Sequence, residues 1–208
     1  METVQMIAPD FFNDITPITM HDPLAQVLGA ARGGMIEYTY SDVVKLAGHA
    51  CPTVAGTYLM VEKGLSALYT QETPVRGAIK VFIKGKLGEG VVGVISNVAS
   101  MITGATTISG FHGLAGHFDR RDLLFYVPNM DVDMILERID TGGRVELSYD
   151  PSFVTTDERM GELLVRIASG SADAEDRELF GSLWQDRVKR ILIEYKNDPR
   201  LVKYEVIQ

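Results

Sequence analysis

The side chains best suited to metal or thiol chemistry fall into two groups along the 208-residue chain. His49 and Cys51 are two positions apart, and His112 and His117 lie together in a glycine-rich segment. Thiolate sulfur and neutral imidazole are ligands that zinc prefers in proteins. A thiol beside an imidazole is also an arrangement of nucleophilic catalysis. Cys51 and His49 are therefore the predicted catalytic residues, and all four are predicted metal ligands.

The residues after Cys51 predict where its sulfur lies. Pro52 opens an apolar run that extends to Tyr69, and proline is favoured at the first position of a helix because its missing N–H would be unpaired there. Cys51 is thus expected at or beside a helix N-cap, where free backbone N–H groups and the helix dipole stabilise a thiolate. The alternative interpretation is an inert, buried thiol.

A second pair of candidate residues follows the glycine-rich segment GATTISGFHGLAGHF. Its glycines allow the backbone to bend sharply or to approach a ligand closely. Arg120 and Arg121 come directly afterwards and are predicted to bind the carboxylate or phosphate of a ligand or cofactor, because guanidinium groups hold such anions bidentately. The alternative is local pairing with Asp119 and Asp122.

Composition excludes several classes of function. The chain has 20 Lys and Arg against 28 Asp and Glu, which gives a net charge of -8. It therefore lacks the positive electrostatic field that would attract nucleic acid or an anionic membrane. A single cysteine excludes an intramolecular disulfide and any Cys-x-x-Cys centre. The sequence contains no P-loop, dinucleotide-binding fingerprint or GxSxG motif. A small-molecule ligand is expected, and its chemical identity is left open.

The N-terminal sequence favours a cytoplasmic protein. Its first basic residue is Arg32, so the basic segment of a secretory signal and the Arg-rich face of a transit peptide are both absent. The densest apolar run, residues 91–95, is far shorter than the roughly 20 residues of a membrane span. A cytoplasmic location is therefore expected.

Hydrophobic periodicity predicts an α+β fold with a mixed or antiparallel sheet packed against helices. Predicted helices begin at Pro23 with Asp22 as the cap, near Ser41 and at Pro52. A short predicted helix capped by Ser96-Asn97 ends at Gly104, and the first of two C-terminal helices ends at Gly170. Predicted strands cover residues 36–40, 79–83, 123–127 and 145–149. A further strand at 91–95, forming a hairpin with 79–83, and a helical segment at 134–139 are also expected. A helical hairpin over residues 160–195 precedes a last strand. The expected division is a main domain over 1–155 and a helical extension over 156–208 on the same body.

The segment Gly48-His49-Ala50-Cys51-Pro52-Thr53 resembles the GH-x-CP signature of proteins related to the FmdE component of formylmethanofuran dehydrogenase (FmdE-like proteins). Residues 102–106 resemble the TG-x-T turn of the same family, and the resemblance covers about residues 20–127. It implies an α+β fold, often a homodimer, with a metal ion, usually zinc, near the cysteine and histidine.

Two departures separate the chain from this family pattern. Leu46-Ala47 replaces an aromatic–histidine pair before the first motif, and Thr53 replaces a glycine. Val94 and Ala105 stand near the places where the second motif usually carries cysteines, and the cysteine-rich C-terminal finger of some members is missing. We hypothesise that His112 and His117 substitute for these lost ligands.

The leading functional hypothesis is a zinc-type metal-binding protein. The bound ion would act as a Lewis acid or activate water, with a small carbonyl or one-carbon acyl compound as the candidate substrate. A haem-binding or sensor module using Cys51-Pro52 and a histidine is one alternative. A non-catalytic accessory protein is the other, with the C-terminal helices as a surface for a partner or a second copy.

Overall fold

The computed structural model describes residue 6 and residues 8–207, and it confirms the α+β fold class. The strands are β1 (Ile18–His21), β2 (Met35–Tyr38), β3 (Ile79–Lys84), β4 (Leu124–Val127), β5 (Met134–Arg138), β6 (Arg144–Tyr149) and β7 (Val202–Ile207). The α-helices are α1 (Pro23–Val27), α2 (Tyr40–Ala47), α3 (Pro52–Tyr69), α4 (Val92–Thr103), α5 (Met160–Ser169) and α6 (Ala174–Lys189). A short π-helix, Arg190–Glu194, continues α6.

A five-stranded mixed sheet forms the centre of the molecule, in the order β4-β3-β5-β6-β7. Strands β3 and β4 are parallel, and the other neighbouring strands are antiparallel. Helix α3 packs on β5, β6 and β7, and α4 packs on β3 and α3. Val81, Leu136 and Val145, on three neighbouring strands, are fully buried in the resulting core. Strands β1 and β2 form a separate antiparallel pair.

The predicted strand at 91–95 is wrong, because this segment begins helix α4 instead. A continuous apolar run does not by itself distinguish a buried strand from a buried helix. The parallel pairing of β3 and β4 resolves the ambiguity, since parallel neighbours need a long crossover connection, usually a helix. α4 supplies that crossover, and it ends at Gly104 in the left-handed conformation, as the sequence predicts.

The predicted helical segment at 134–139 is also wrong, because residues Met134–Arg138 form strand β5 between β3 and β6. Met134, Ile135 and Leu136 are all buried. A strand buried on both faces loses the apolar–polar alternation by which strands are recognised. Tyr40, predicted to end a strand, begins α2, because Thr39 and Asp42 form a capping box.

The C-terminal helical hairpin is present, with α5 packed against α6 and α6 against α3. Residues 202–207 then return to the central sheet, where β7 pairs along the whole of β6. The segment after residue 155 therefore contributes both two helices and an edge strand. No helix in the described part of the chain combines the length and the apolar character that crossing a membrane requires.

Candidate functional site at the start of helix α3

Cys51 occupies the N-cap of α3, as the sequence predicts. Its backbone is extended, and its Sγ accepts a hydrogen bond from the backbone N–H of Val54 at 3.5 Å. Pro52 fills the first helical position. The side chain is only partly buried, so the sulfur is not sealed in the core.

His49, two residues before Cys51, is exposed, and one of its two ring nitrogens is engaged. Nδ1 lies 2.9 Å from the backbone carbonyl of Ala47. A carbonyl oxygen can only accept, so Nδ1 carries the proton in this contact and Nε2 keeps its lone pair. This arrangement is the common one for a metal-binding histidine, since the bond at one nitrogen fixes the tautomer and the ring orientation.

Two tyrosines, one fully and one partly buried, line the inner side of the site. The Tyr149 hydroxyl donates to the carbonyl of Pro52 at 2.8 Å. Tyr40 is fully buried, and its hydroxyl has no hydrogen-bond partner among the described residues. Burial raises the pKa of both phenols, and the adjacent Cys51 raises it further. Both hydroxyls are therefore protonated near neutral pH and can act as hydrogen-bond donors.

Helix α6 holds the loop that carries the two donors. Trp184 Nε1 donates to the carbonyl of Ala50 at 2.8 Å, and Gln185 Nε2 donates to the same oxygen at 3.3 Å. These bonds join the residue before Cys51 to a helix about 134 positions later. The C-terminal hairpin therefore positions the candidate site.

The structure places His112 and His117 far from this site in the fold. Both are exposed in the connection between α4 and β4. Two backbone hydrogen bonds between Leu114 and His117 close a turn in this connection. This connection lies where β3 begins, because the N–H of Gly77 bonds to the last residue of α4. Cys51 lies near Tyr149 at the opposite end of the sheet, where β3 and β6 both end.

The donors that the chain gathers do not complete a three-ligand zinc centre. Within residue 6 and residues 8–207, no group of three or more His, Cys, Asp or Glu side chains is positioned to hold a metal ion. His49 and Cys51 supply two soft donors, which is half of a tetrahedral set. The remaining donors of a metal ion at this site would have to come from outside the part of the chain that the structure describes.

The two predicted anion-binding arginines are engaged with carboxylates of the chain. Arg121 makes a two-pronged contact with Asp119, with Nη2 2.5 Å from Oδ2. This contact is the local pairing that the sequence left open. Arg120 is 5% exposed and reaches Asp22, its Nη2 lying 2.7 Å from Oδ1.

Asp22 is the centre of a buried polar cluster that sequence reasoning missed. It caps α1 through the N–H groups of Leu24 and Ala25, and it also accepts from Arg76 at 2.9 Å. Burial works to raise the pKa of Asp22, but the hydrogen bonds from Arg76 and Ala25 and the charge of Arg120 outweigh it, so that pKa lies below its ordinary value. The sequence showed only the cap, since the two arginines come from distant segments.

The sequence also carries a signal that its motifs concealed. No Asp, Glu, Lys or Arg occurs between Val91 and Phe118, in a chain in which 23% of residues are charged. Much of this segment is nevertheless at the surface, where Ile108 is 79% exposed and Phe111 and Leu114 are each 46% exposed. An exposed surface with apolar side chains and no Asp, Glu, Lys or Arg is typical of an interaction site.

Comparison with solved structures finds a distant similarity. No protein-family model matches the sequence, and no curated protein matches it. The chain is similar to a solved structure described as a tungsten formylmethanofuran dehydrogenase FmdE-like protein from Syntrophus aciditrophicus, with 16% identity and a TM-score of 0.42. The alignment covers 82% of this chain and 73% of that one. A similarity of this extent does not assign the chain to a family.

Proposed function

We propose that the chain binds a zinc-type metal ion through Cys51 and His49, with the remaining ligands supplied from outside the chain. The observations that support this proposal are a partly exposed N-cap sulfur and, two residues before it, an exposed imidazole whose Nδ1 is already engaged. The sulfur and the free Nε2 are the two atoms through which zinc binds such side chains. A two-donor site of this kind suits a carrier, or a centre completed by a bound small molecule.

Metal content measured after incubation with Zn²⁺ and dialysis tests the proposal. The wild-type protein is expected to retain zinc, and the variants Cys51→Ser and His49→Ala are expected to lose most of it. Serine is itself a favourable N-cap residue, so Cys51→Ser keeps the helix start intact. His117→Ala is the matched control, since it removes an exposed histidine at the other end of the sheet.

Equal zinc content in the wild type and in both site variants contradicts the proposal, as does a wild type that retains no zinc. A visible absorption spectrum of the same preparation separates the haem alternative, because zinc is colourless and haem is not. Repeating the dialysis at two protein concentrations shows whether a second chain supplies the missing donors, since zinc retention then rises with concentration.

We also propose that a second copy of this chain covers the charge-free surface formed by Ile108, Phe111 and Leu114. The charge of the protein favours this occupant. Two chains of net charge -8 repel each other, and a contact through a segment without Asp, Glu, Lys or Arg keeps that repulsion smallest. The same segment exposes large apolar side chains, whose burial would drive association.

The molar mass in solution tests this second proposal. The wild type is expected to be a dimer by light scattering, and Ile108→Glu is expected to be a monomer because it places a charge in the contact. Leu164→Glu is the control, since Leu164 is 54% exposed on α5, outside the charge-free segment. A monomeric wild type, or a variant at position 108 that stays dimeric, overturns the proposal.

A further inference from the structure

Strand β7 forms one edge of the central sheet, and its outer side is exposed. It is the last strand in the order β4-β3-β5-β6-β7, and among the described strands it pairs with β6 alone. Every residue from 203 to 207 is exposed, including the large side chains of Tyr204 (53%) and Val206 (48%). A long exposed edge strand with apolar side chains is a template for pairing with another strand.

The backbone groups that point outward from β7 belong to Val202, Tyr204 and Val206. Along an antiparallel strand, successive residues alternate between bonding to the partner strand and pointing away from it. The N–H of Asp150 donates to the carbonyl of Leu201 at 2.9 Å, so Leu201 and every second residue after it face β6. The outward groups of the three residues between them have no hydrogen-bond partner in the part of the chain that the structure describes.

The two charged side chains of β7 form no ion pair with another described residue. Lys203 and Glu205 lie on the opposite face of the sheet from Tyr204, because side chains alternate along a strand. The charge of Lys203 helps to lower the pKa of Asp150, after the hydrogen bonds that Ser152 makes, but it lies outside ion-pair distance.

Glu205 also has an unfavourable neighbour within the sheet. It stands directly opposite Glu146 of β6, and like charges directly opposite each other destabilise a strand pair. A cation on the outer side of Glu205 would offset this repulsion. The edge of β7 therefore calls for a strand that brings a basic residue to this position.

The sequence of β7 is complementary to itself in one register. Two antiparallel copies related by a twofold axis can be centred on Lys203, Tyr204 or Glu205. Centring on either charged residue places that residue opposite its own copy. Centring on Tyr204 places Lys203 opposite the partner's Glu205, and it alone lets all the outward groups of residues 202, 204 and 206 bond to one another.

We propose that two copies of the chain pair along β7, antiparallel and centred on Tyr204, so that their central sheets become one continuous sheet. Each Lys203 lies opposite the partner's Glu205, which gives the contact two cross-strand ion pairs. Each Glu205 thereby gains an opposite charge on its outer side. The two Tyr204 side chains lie side by side on the face that α3 covers.

This contact is separate from the charge-free surface formed by Ile108, Phe111 and Leu114. The strand has only six residues, and small interfaces are weak or transient. The net charge of -8 on each chain also opposes association. Strand pairing is therefore expected in concentrated protein only, where it joins the dimers proposed above, and it is absent from the dilute protein used for light scattering.

Disulfide cross-linking of concentrated protein tests the pairing and its register. In a Cys51→Ser background, Tyr204→Cys places two thiols on directly opposite residues, whose Cα atoms are about 5.5 Å apart, within the range of a disulfide. Mild oxidation is expected to give a covalent dimer. Val206→Cys is the matched control, because this exposed position lies roughly 14 Å from its own copy in the same register and is expected to stay unlinked.

Charge exchange tests whether a second copy occupies the edge. Lys203→Glu and Glu205→Lys, each added to the Tyr204→Cys chain, bring like charges together and are each expected to slow cross-linking about tenfold. An equal mixture of the two variants is expected to cross-link as fast as the parent chain, because opposite charges meet again between unlike chains.

Three outcomes overturn the proposal: no cross-link through position 204, equal cross-linking through positions 204 and 206, or a mixture no faster than its separate components. Ile108→Glu, added to the Tyr204→Cys chain, is expected to leave cross-linking unchanged, and a loss there overturns the proposal as well. The background lacks Cys51, so the result is independent of the zinc proposal. Light scattering of the dilute protein decides the charge-free contact separately.

Discussion

Arg120 and Asp22 are 98 positions apart in the chain and form a buried ion pair, with Nη2 2.7 Å from Oδ1. The pair connects the end of the glycine-rich segment to the cap of α1. Arg76 reaches the other oxygen of the same carboxylate at 2.9 Å. Two guanidinium groups therefore share one carboxylate as their counter-charge. Removal of the charge of Asp22 leaves both of them without it.

Replacing this carboxylate by an amide tests the cluster. Asp22→Asn keeps a capping oxygen for α1 but leaves two partly or fully buried cations unbalanced, so the free energy of unfolding is expected to fall by about 3 kcal/mol. Urea denaturation at neutral pH measures it. Asp119→Asn, at an exposed pair with Arg121, is the control and is expected to change stability little.

The same cluster predicts a dependence of stability on pH. The pKa of Asp22 is lowered in the folded protein from the ordinary value of 3.8, so its contribution is fully present above that value and is lost as the pH falls through the lower, folded value. The stability difference between wild type and Asp22→Asn is therefore expected to shrink below about pH 4. A difference that stays constant down to pH 2 contradicts this assignment.

Gly77 is expected to tolerate no side chain because Arg120 lies directly against it. A Cβ at this position would lie 1.4 Å from Nη1 of Arg120. Gly77→Ala is expected to destabilise the protein by about 3 kcal/mol or more, from both the clash and the positive φ. Gly142→Ala isolates the backbone part, since Gly142 has a similar φ and open space around it. Its expected cost is about 1 kcal/mol, and equal thermal shifts for both variants would refute the close approach.

A glycine inside α3 makes room for the ring of Tyr149. A Cβ at Gly56 would lie 2.3 Å from that ring, so Gly56→Ala is expected to cost about 1–3 kcal/mol by overpacking despite the better helix propensity of alanine. Gly181→Ala in α6, where the space is open, is expected to gain up to about 1 kcal/mol. A lower denaturation midpoint for Gly56→Ala and a higher one for Gly181→Ala confirm the close packing of Tyr149 on Gly56. A stabilised Gly56→Ala variant contradicts it.

The loop before Cys51 is expected to loosen when its link to α6 is weakened. Trp184→Phe keeps an aromatic ring against Phe180 but removes the N–H that bonds to Ala50. The expected loss is about 1 kcal/mol of stability, together with faster hydrogen exchange around His49. Phe180→Leu is the comparison, since it alters the stacking and leaves the bond to Ala50; similar exchange in both variants argues against a role for that bond.

Local signals in the sequence predicted four of the helix ends correctly, because a cap depends on a few neighbouring residues. Asp22 before proline, Cys51 before proline, and Gly104 and Gly170 after apolar runs all lie where they were expected. These positions also placed the candidate thiol, since it coincides with a cap. At such positions the local conformational preference of the residues is sufficient to determine where a helix begins or ends.

Secondary structure was mispredicted where tertiary contacts decide it. Residues 91–95 and residues 134–136 are both continuous apolar runs, one at the start of a crossover helix and the other in a central strand. Which of the two forms depends on the strand order, and strand order is set by distant segments. Two partners of the site, Tyr149 and Trp184, were missed for the same reason, since contacts across 97 and 134 positions leave no local pattern.

The bond from Trp184 to the Ala50 carbonyl also bears on how the protein is made. The loop with His49 and Cys51 leaves the ribosome about 134 residues before the helix that fixes it. At the usual 5–20 residues per second, this delay is about 7–27 s. During that interval neither Trp184 nor Gln185 holds the loop at Ala50. The thiol of Cys51 is then more accessible to oxidants and chaperones than it is in the folded protein.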